Sequence, residues 1–188
     1  QLSDGPIKDV EIICYGKASD SKSISLVLIK SILSNIIDQR VNMVNADIVA
    51  KERNIKFSHT YRSEETPFSS LIKCIVKTEI GIFEISGSVF DESHLRIVNI
   101  MGFNIDLNPV GKMLFIINKD VPGVIGNIGS LLGKNDVNIA EYLLGKIDSS
   151  DSAYGIVKLN SKINEEILNS LRSLSEIVDV KQILIEEN

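Results

Sequence analysis

The sequence predicts an α+β chain of two small domains, the second a βαββαβ sandwich of one antiparallel sheet with two helices on one face. Three observations carry that prediction. Residues 114 to 145 read as strand, tight polar loop, helix and strand. Residues 153 to 185 read as strand, helix and strand. Between the halves, Asn108-Pro109-Val110-Gly111 sets turn formers between two strand-like runs, which divides the chain into 1–109 and 110–188. The first half is expected to be a separate α+β domain with more strands than helices.

In order, Ile7 to Tyr15 alternates and then turns apolar, as a strand does. Ser19 to Ser23 is polar and can cap the helix that follows, Ile24 to Ile37, whose apolar face is Leu26, Ile29, Leu33 and Ile36. Val41 to Val44 reads as a short extended link. Asn45 to Asn54 reads as a second helix capped by Asn45. Ile55 to Tyr61 alternates as a strand. Leu71 to Thr78 and Ile82 to Val89 flank Glu79-Ile80-Gly81 as a hairpin, and Leu95 to Met101 and Asn104 to Leu107 flank Gly102-Phe103 as another.

In the second half, Leu114 to Ile117 is an all-apolar strand and Asn118-Lys119-Asp120 a polar turn. Pro122 sits at the first helical turn, where no backbone N–H is needed. Ile125, Ile128, Leu131 and Leu132 recur at helical spacing, and Gly133 to Asp136 ends that helix. Val137-Asn138-Ile139 opens a strand, Asp148 to Ser152 is a polar turn, and Ala153 to Leu159 is a strand. Asn164 caps the last helix, with Glu165 and Glu166 favouring its dipole and Ile167, Leu171, Leu174 and Val178 as its apolar side. Val180 to Ile185 is the final strand.

A formal charge of −5 and the lack of a basic cluster argue against nucleic acid as the main partner. No apolar run reaches membrane-spanning length. Cys14 and Cys74 lie in apolar strand-like runs and are expected to be buried free thiols. A soluble, cytoplasmic setting is expected. The chain opens on Gln1 without Met and is expected to be a piece of something longer. No strand–GxGxxG–helix unit is present. The glycines at 123, 126, 129 and 133 fall within a helix and are expected to mark close packing. His59 and His94 read as strand or loop residues, and no catalytic or metal-ligating set is expected.

Asp120-Val121-Pro122-Gly123-Val124-Ile125-Gly126, the run Gly129 to Gly133, and Val137-Asn138-Ile139-Ala140 resemble the start of an ACT domain, a small-molecule sensor attached to many amino-acid biosynthetic enzymes. Val41 to Ala46 with Ala50-Lys51-Glu52-Arg53, Ser86 to Phe90, Arg96-Ile97-Val98 and Gly102 to Leu107 resemble the D-3-phosphoglycerate dehydrogenase family. The whole chain is similar to the tail of its long form, an allosteric substrate-binding (ASB) domain followed by a ferredoxin-like ACT domain. Even Gln1 to Pro6 resembles the linker into that tail. The resemblance implies a parent enzyme that oxidises 3-phosphoglycerate with NAD in L-serine synthesis, with the NAD and catalytic domains lying elsewhere. It also implies homo-oligomerisation through ACT domains, with L-serine as the feedback effector.

By the same resemblance, Asn118, Asp120 and Asn138 hold L-serine at a subunit interface. The chemistry suits an amino acid: Asp120 can take the ammonium, backbone N–H groups of Gly123, Val124 and Ile125 can take the carboxylate, and an Asn from a second subunit can bridge to either. Many relatives carry an aromatic or His residue where this chain has Asn118. Arg96 matches one position of an anion-binding cluster, while Asn104 and Asn108 stand where relatives carry His and Arg. Two rival readings remain. The small subunit of an iron–sulfur L-serine dehydratase also joins ASB-like and ACT domains, but Ser19-Asp20-Ser21-Lys22-Ser23 does not supply its Ser-Ser-Ser-His-type segment. The other is a structural oligomerisation tail without a ligand.

Overall fold

The computed structural model describes residues 5–38, 40–91, 94–146 and 151–186. Its contacts divide the chain into two compact units, one from Ser3 to Met101 and the other from Gly102 onward. The first holds strands β1 (Ile7–Gly16), β2 (Lys56–Arg62), β3 (Ser70–Thr78), β4 (Ile82–Phe90) and β5 (His94–Ile100), with helices α1 (Ser21–Ser34) and α2 (Ala46–Glu52). The strand order is β2-β1-β3-β4-β5. β2 runs parallel to β1 and the other neighbours are antiparallel. Val10, Ile12 and Cys14 of β1, Ile29 and Leu33 of α1, Val49 and Ala50 of α2 and Cys74 of β3 form one buried core. Both helices therefore cover the same face of the sheet.

The second unit holds β6 (Phe103–Leu107), β7 (Gly111–Lys119), α3 (Val124–Lys134), β8 (Ile139–Lys146), β9 (Ser152–Leu159), α4 (Glu165–Arg172) and β10 (Ile177–Ile185). Its sheet has the order β10-β7-β9-β8, antiparallel throughout. Leu114, Ile116, Val157, Leu159 and Val180 from the sheet meet Val124, Ile128 and Leu132 of α3 and Ile167, Leu168 and Leu171 of α4. This is the expected βαββαβ arrangement, with both helices on one face. β6 clusters here too; Phe103 lies so close to Gly145 of β8 that a Cβ built there would run into its ring.

Several local expectations are corrected. Ile36 lies beyond α1 and is exposed, because the helix closes at Asn35: Asn35 N–H bonds back to the Ile32 carbonyl and Ile36 N–H to the Leu33 carbonyl. Val41 to Val44 is a turn rather than an extended link: the Asn42 side chain accepts from the N–H groups of Val44 and Asn45. Asn45 precedes α2 but does not cap it with its side chain, which instead bonds Asn42 N–H and the Arg40 carbonyl. Val178 is exposed on β10 and Val180 is buried: the ladder register shifts between Ile177 and Asp179, so the irregularity takes Val178 off the inward face that Val180 occupies. Gly126, Gly129 and Gly133 do not pack closely; a Cβ built at each meets nothing within 4 Å. Of the polar turn read at Asp148 to Ser152, residues 148–150 lie outside the described residues, and Ser152 already opens β9.

Cys14 and Cys74 are buried free thiols. Burial pushes the Cys14 thiol up and the Cys74 thiol up to about 11. The sign follows from linkage. Below the unfolded thiol value both states hold the proton, and the thiol favours neither. As pH rises from about 9 toward 11, the unfolded chain ionises first and the folded state loses ground, by about 2 to 3 kcal/mol for Cys74. Urea unfolding at pH 8 and pH 10.5 should show this loss in the wild type, with a smaller pH dependence in Cys74→Ala. Equal dependence in both proteins would contradict the assignment.

Candidate functional site

β7 delivers the central side chain of the site. Leu114, Ile116 and Asn118 alternate onto the helix-covered face. The strand does not stop at Ile117: Asn118 pairs with Ala153 of β9 and Ile177 of β10, and Lys119 with Ser152. The polar turn read at Asn118-Lys119-Asp120 thus begins only at Asp120. Asn118 is 3% exposed. Its Nδ2 donates to the Lys119 carbonyl at 2.7 Å. That bond fixes the amide, since a carbonyl can accept only from the nitrogen. Oδ1 is left buried and without a hydrogen-bond partner.

The loop then turns toward α3. Asp120 N–H donates to the Asp151 carbonyl at 2.8 Å and Val121 N–H to the Lys119 carbonyl at 3.0 Å. The Asp120 side chain is on the exposed surface. Pro122 lies before the helix rather than in its first turn. Gly123 occupies the capping position with φ 95°, a left-handed geometry that only glycine adopts without strain, and α3 begins at Val124. No side chain caps this end. By contrast, Asp20 caps α1 at 3.1 Å and Asn164 caps α4 at 2.9 Å, each from its own side chain. The first-turn N–H groups of α3 have no intrahelical acceptor and carry the positive end of the helix dipole.

These pieces meet in one open concavity lined by Asn118, Asp120, Gly123, Val124 and Ile125. Val121, Pro122, Gly126 and Leu144 complete its wall. Ile125 stands at helical spacing with the core residues yet is 49% exposed, because the buried line of α3 is Val124, Ile128 and Leu132. Sequence reasoning missed Leu144; it comes from the far end of β8, and no local pattern marks it. The concavity thus offers a carboxylate, backbone N–H donors and an apolar wall, with the Asn118 side chain, itself buried, among its lining. A small zwitterion matches that set.

Asn138 is not in this concavity. It precedes β8 and is exposed, and its carbonyl accepts from Asn160 N–H at 3.3 Å. The pairing Ile139↔Leu159 puts it at one end of the sheet, and Asn118↔Ala153 puts the pocket at the other. Arg96 lies on β5 opposite Ser88 and donates from Nη1 to the Leu95 carbonyl at 3.0 Å. The Asn108 side chain accepts from Val110 N–H at 3.1 Å. His59 on β2 lies 3.3 Å from the Ser21 hydroxyl.

The family model of the D-3-phosphoglycerate dehydrogenase intervening domain matches residues 1–101. D-3-phosphoglycerate dehydrogenase of Bacillus subtilis is 34% identical over 185 residues, covering 97% of this chain and 35% of that protein. Its counterpart from Synechocystis is 30% identical over 182 residues, covering 95% and 33%. The chain thus spans about a third of the length of the curated relatives it matches. Among solved structures, the ACT domain of GTP pyrophosphokinase from Chlorobium tepidum covers 41% of this chain and 89% of its own at a TM-score of 0.33 and 19% identity, too slight a likeness to argue from. On the match across its first 101 residues, this chain belongs to the D-3-phosphoglycerate dehydrogenase intervening-domain family.

Proposed function

We propose that this chain is the regulatory and oligomerisation region of a D-3-phosphoglycerate dehydrogenase, and that its second unit senses L-serine as a feedback inhibitor. One observation carries the reading: Asn118 Oδ1, buried and unpartnered, on the wall of a concavity beside an uncapped helix end. A buried acceptor without a donor costs about 1 to 3 kcal/mol, and a ligand donor would relieve it. The ammonium of serine meets Asp120 and Asn118, and its carboxylate meets the N–H groups of Gly123 to Ile125. The parent enzyme would oxidise 3-phosphoglycerate with NAD in the cytoplasm, and that chemistry belongs outside these residues. β7 has only antiparallel neighbours, so the β7–loop–α3 unit lacks the parallel crevice a dinucleotide needs and does not fit NAD.

The place of Asn138 favours a homo-oligomer. β8 is an edge strand. Two β8 edges paired about a two-fold axis run antiparallel, so the Ile139 end of one lies beside the Lys146 end of the other. That end carries the pocket, and Asn138 of the partner subunit would approach Asp120 there. Serine would then clamp two copies and favour one arrangement of the attached enzyme, a coupling by differential affinity for two states. Calorimetry should show saturable binding of L-serine that weakens at least about tenfold in Asp120→Ala, as loss of a charged hydrogen-bond partner implies. No heat at millimolar serine would sink the sensor. Solution mass with and without serine separates a sensor from a plain scaffold.

A further inference from the structure

The pocket loop is held from outside by two residues that do not line it. Glu176 lies between α4 and β10, and its carbonyl accepts from Lys119 N–H at 2.8 Å. The Ser175 carbonyl accepts from Lys119 Nζ at 3.0 Å. These two bonds fix the strand side of the loop. On the helix side, Asn127 Nδ2 donates to Glu176 Oε1 at 2.5 Å. The Ser175 hydroxyl donates to Oε2 at 2.8 Å and aims the carboxylate. Asn127 N–H in turn donates to the Gly123 carbonyl at 2.9 Å, closing the first turn of α3. One short segment therefore grips both flanks of the loop, before Asp120 and after Gly126. The Ser175 hydroxyl, the backbone N–H of Glu176 itself and the Asn127 amide, with the Lys119 ammonium nearby, hold the Glu176 carboxyl below the usual carboxylate range.

We propose that Glu176 is a positioning residue for the pocket: acting through Asn127, it sets the first-turn N–H groups of α3 at a fixed span from Asn118 Oδ1 and Asp120. The inference rests on the amino-acid reading of the pocket. A zwitterion has a fixed separation between its charged ends, so a site that binds it must hold donor and acceptor apart by that separation. The loop itself cannot do this, since Asp120 to Gly123 is short, irregular and largely exposed. Glu176 touches no ligand in this scheme.

The test measures L-serine affinity by calorimetry in the 188-residue chain and in Glu176→Ala, Glu176→Gln, Asn127→Ala and the Glu176→Ala/Asn127→Ala double variant, with the thermal midpoint of each free protein. Glu176→Ala and Asn127→Ala should each weaken binding roughly three- to tenfold, the range one hydrogen bond commands. The double variant should be no worse than either single, because both break the same contact. Glu176→Gln keeps an acceptor for Asn127 and should bind as the wild type does, and the free midpoints should stay close together. Unchanged affinity in Glu176→Ala, additive losses in the double variant, or a Glu176→Gln as weak as Glu176→Ala would overturn the proposal. If the wild type takes up no serine, the reading of the pocket fails by itself, and amide NMR of the free chain decides the rest. Glu176→Ala must then shift the Val124 to Gly126 N–H resonances while Glu176→Gln leaves them in place; resonances unmoved in Glu176→Ala overturn the positioning role too.

Discussion

Gly16→Ala is expected to destabilise the first unit by roughly 2 to 5 kcal/mol, summing a left-handed backbone penalty and an overpacking penalty. Gly16 ends β1 opposite Ser70 with φ 60°. A Cβ there would run into the Ser69 carbonyl oxygen, which is backbone rather than a mobile side-chain tip. That oxygen also accepts from Lys17 N–H at 2.8 Å, so moving it away breaks a bond. Strain and collision therefore act together. Urea unfolding should show a much lower midpoint at an unchanged slope. A loss under about 1 kcal/mol would mean that the β1 end relaxes more freely than its hydrogen bonding implies.

Leu132→Ala should cost the second unit about 3 kcal/mol, within the range for leucine truncations in packed cores. Leu132 is fully buried and belongs to the core that α3 and α4 share with the sheet. Its carbonyl also accepts from the N–H groups of Asn135 and Val137, which closes the helix. The side chain is what truncation removes, so the expected loss is the transfer of its methyl groups plus the cavity left behind. The same urea titration reads it. A loss of less than about 1 kcal/mol would show that the helices settle into the space.

Much of this fold is legible from periodicity and capping chemistry. Ile128 and Leu132 announce the buried line of α3, and Asn164 with Glu165 and Glu166 announces the start of α4. What escapes such reading has physical reasons. Asn118 and Lys119 look like a turn because both are polar, yet ladder pairing on both sides keeps them in β7. Ile125 fits a helical spacing, but a stripe defined by three residues does not say which neighbour shares it. Pro122 suggests a first helical turn, while the left-handed Gly123 after it delays the helix. Asn127 and Glu176 meet across 49 residues of sequence, and no local pattern can announce such a pair. The loop residues of the pocket were visible as a cluster; the orphaned oxygen of Asn118 was not, since it depends on which way one amide points.

The bare start of α3 has a cost and a use. A helix that caps itself, as α1 and α4 do, gains about a few tenths of a kcal/mol over one that starts on glycine and has fewer open donors to offer a solute. Glycine at position 123 forgoes that gain. The same tip is thereby kept in a state of unmet demand, more reactive toward an outside anion and less robust alone. Local fragility and the capacity to respond are, at this one residue, the same property.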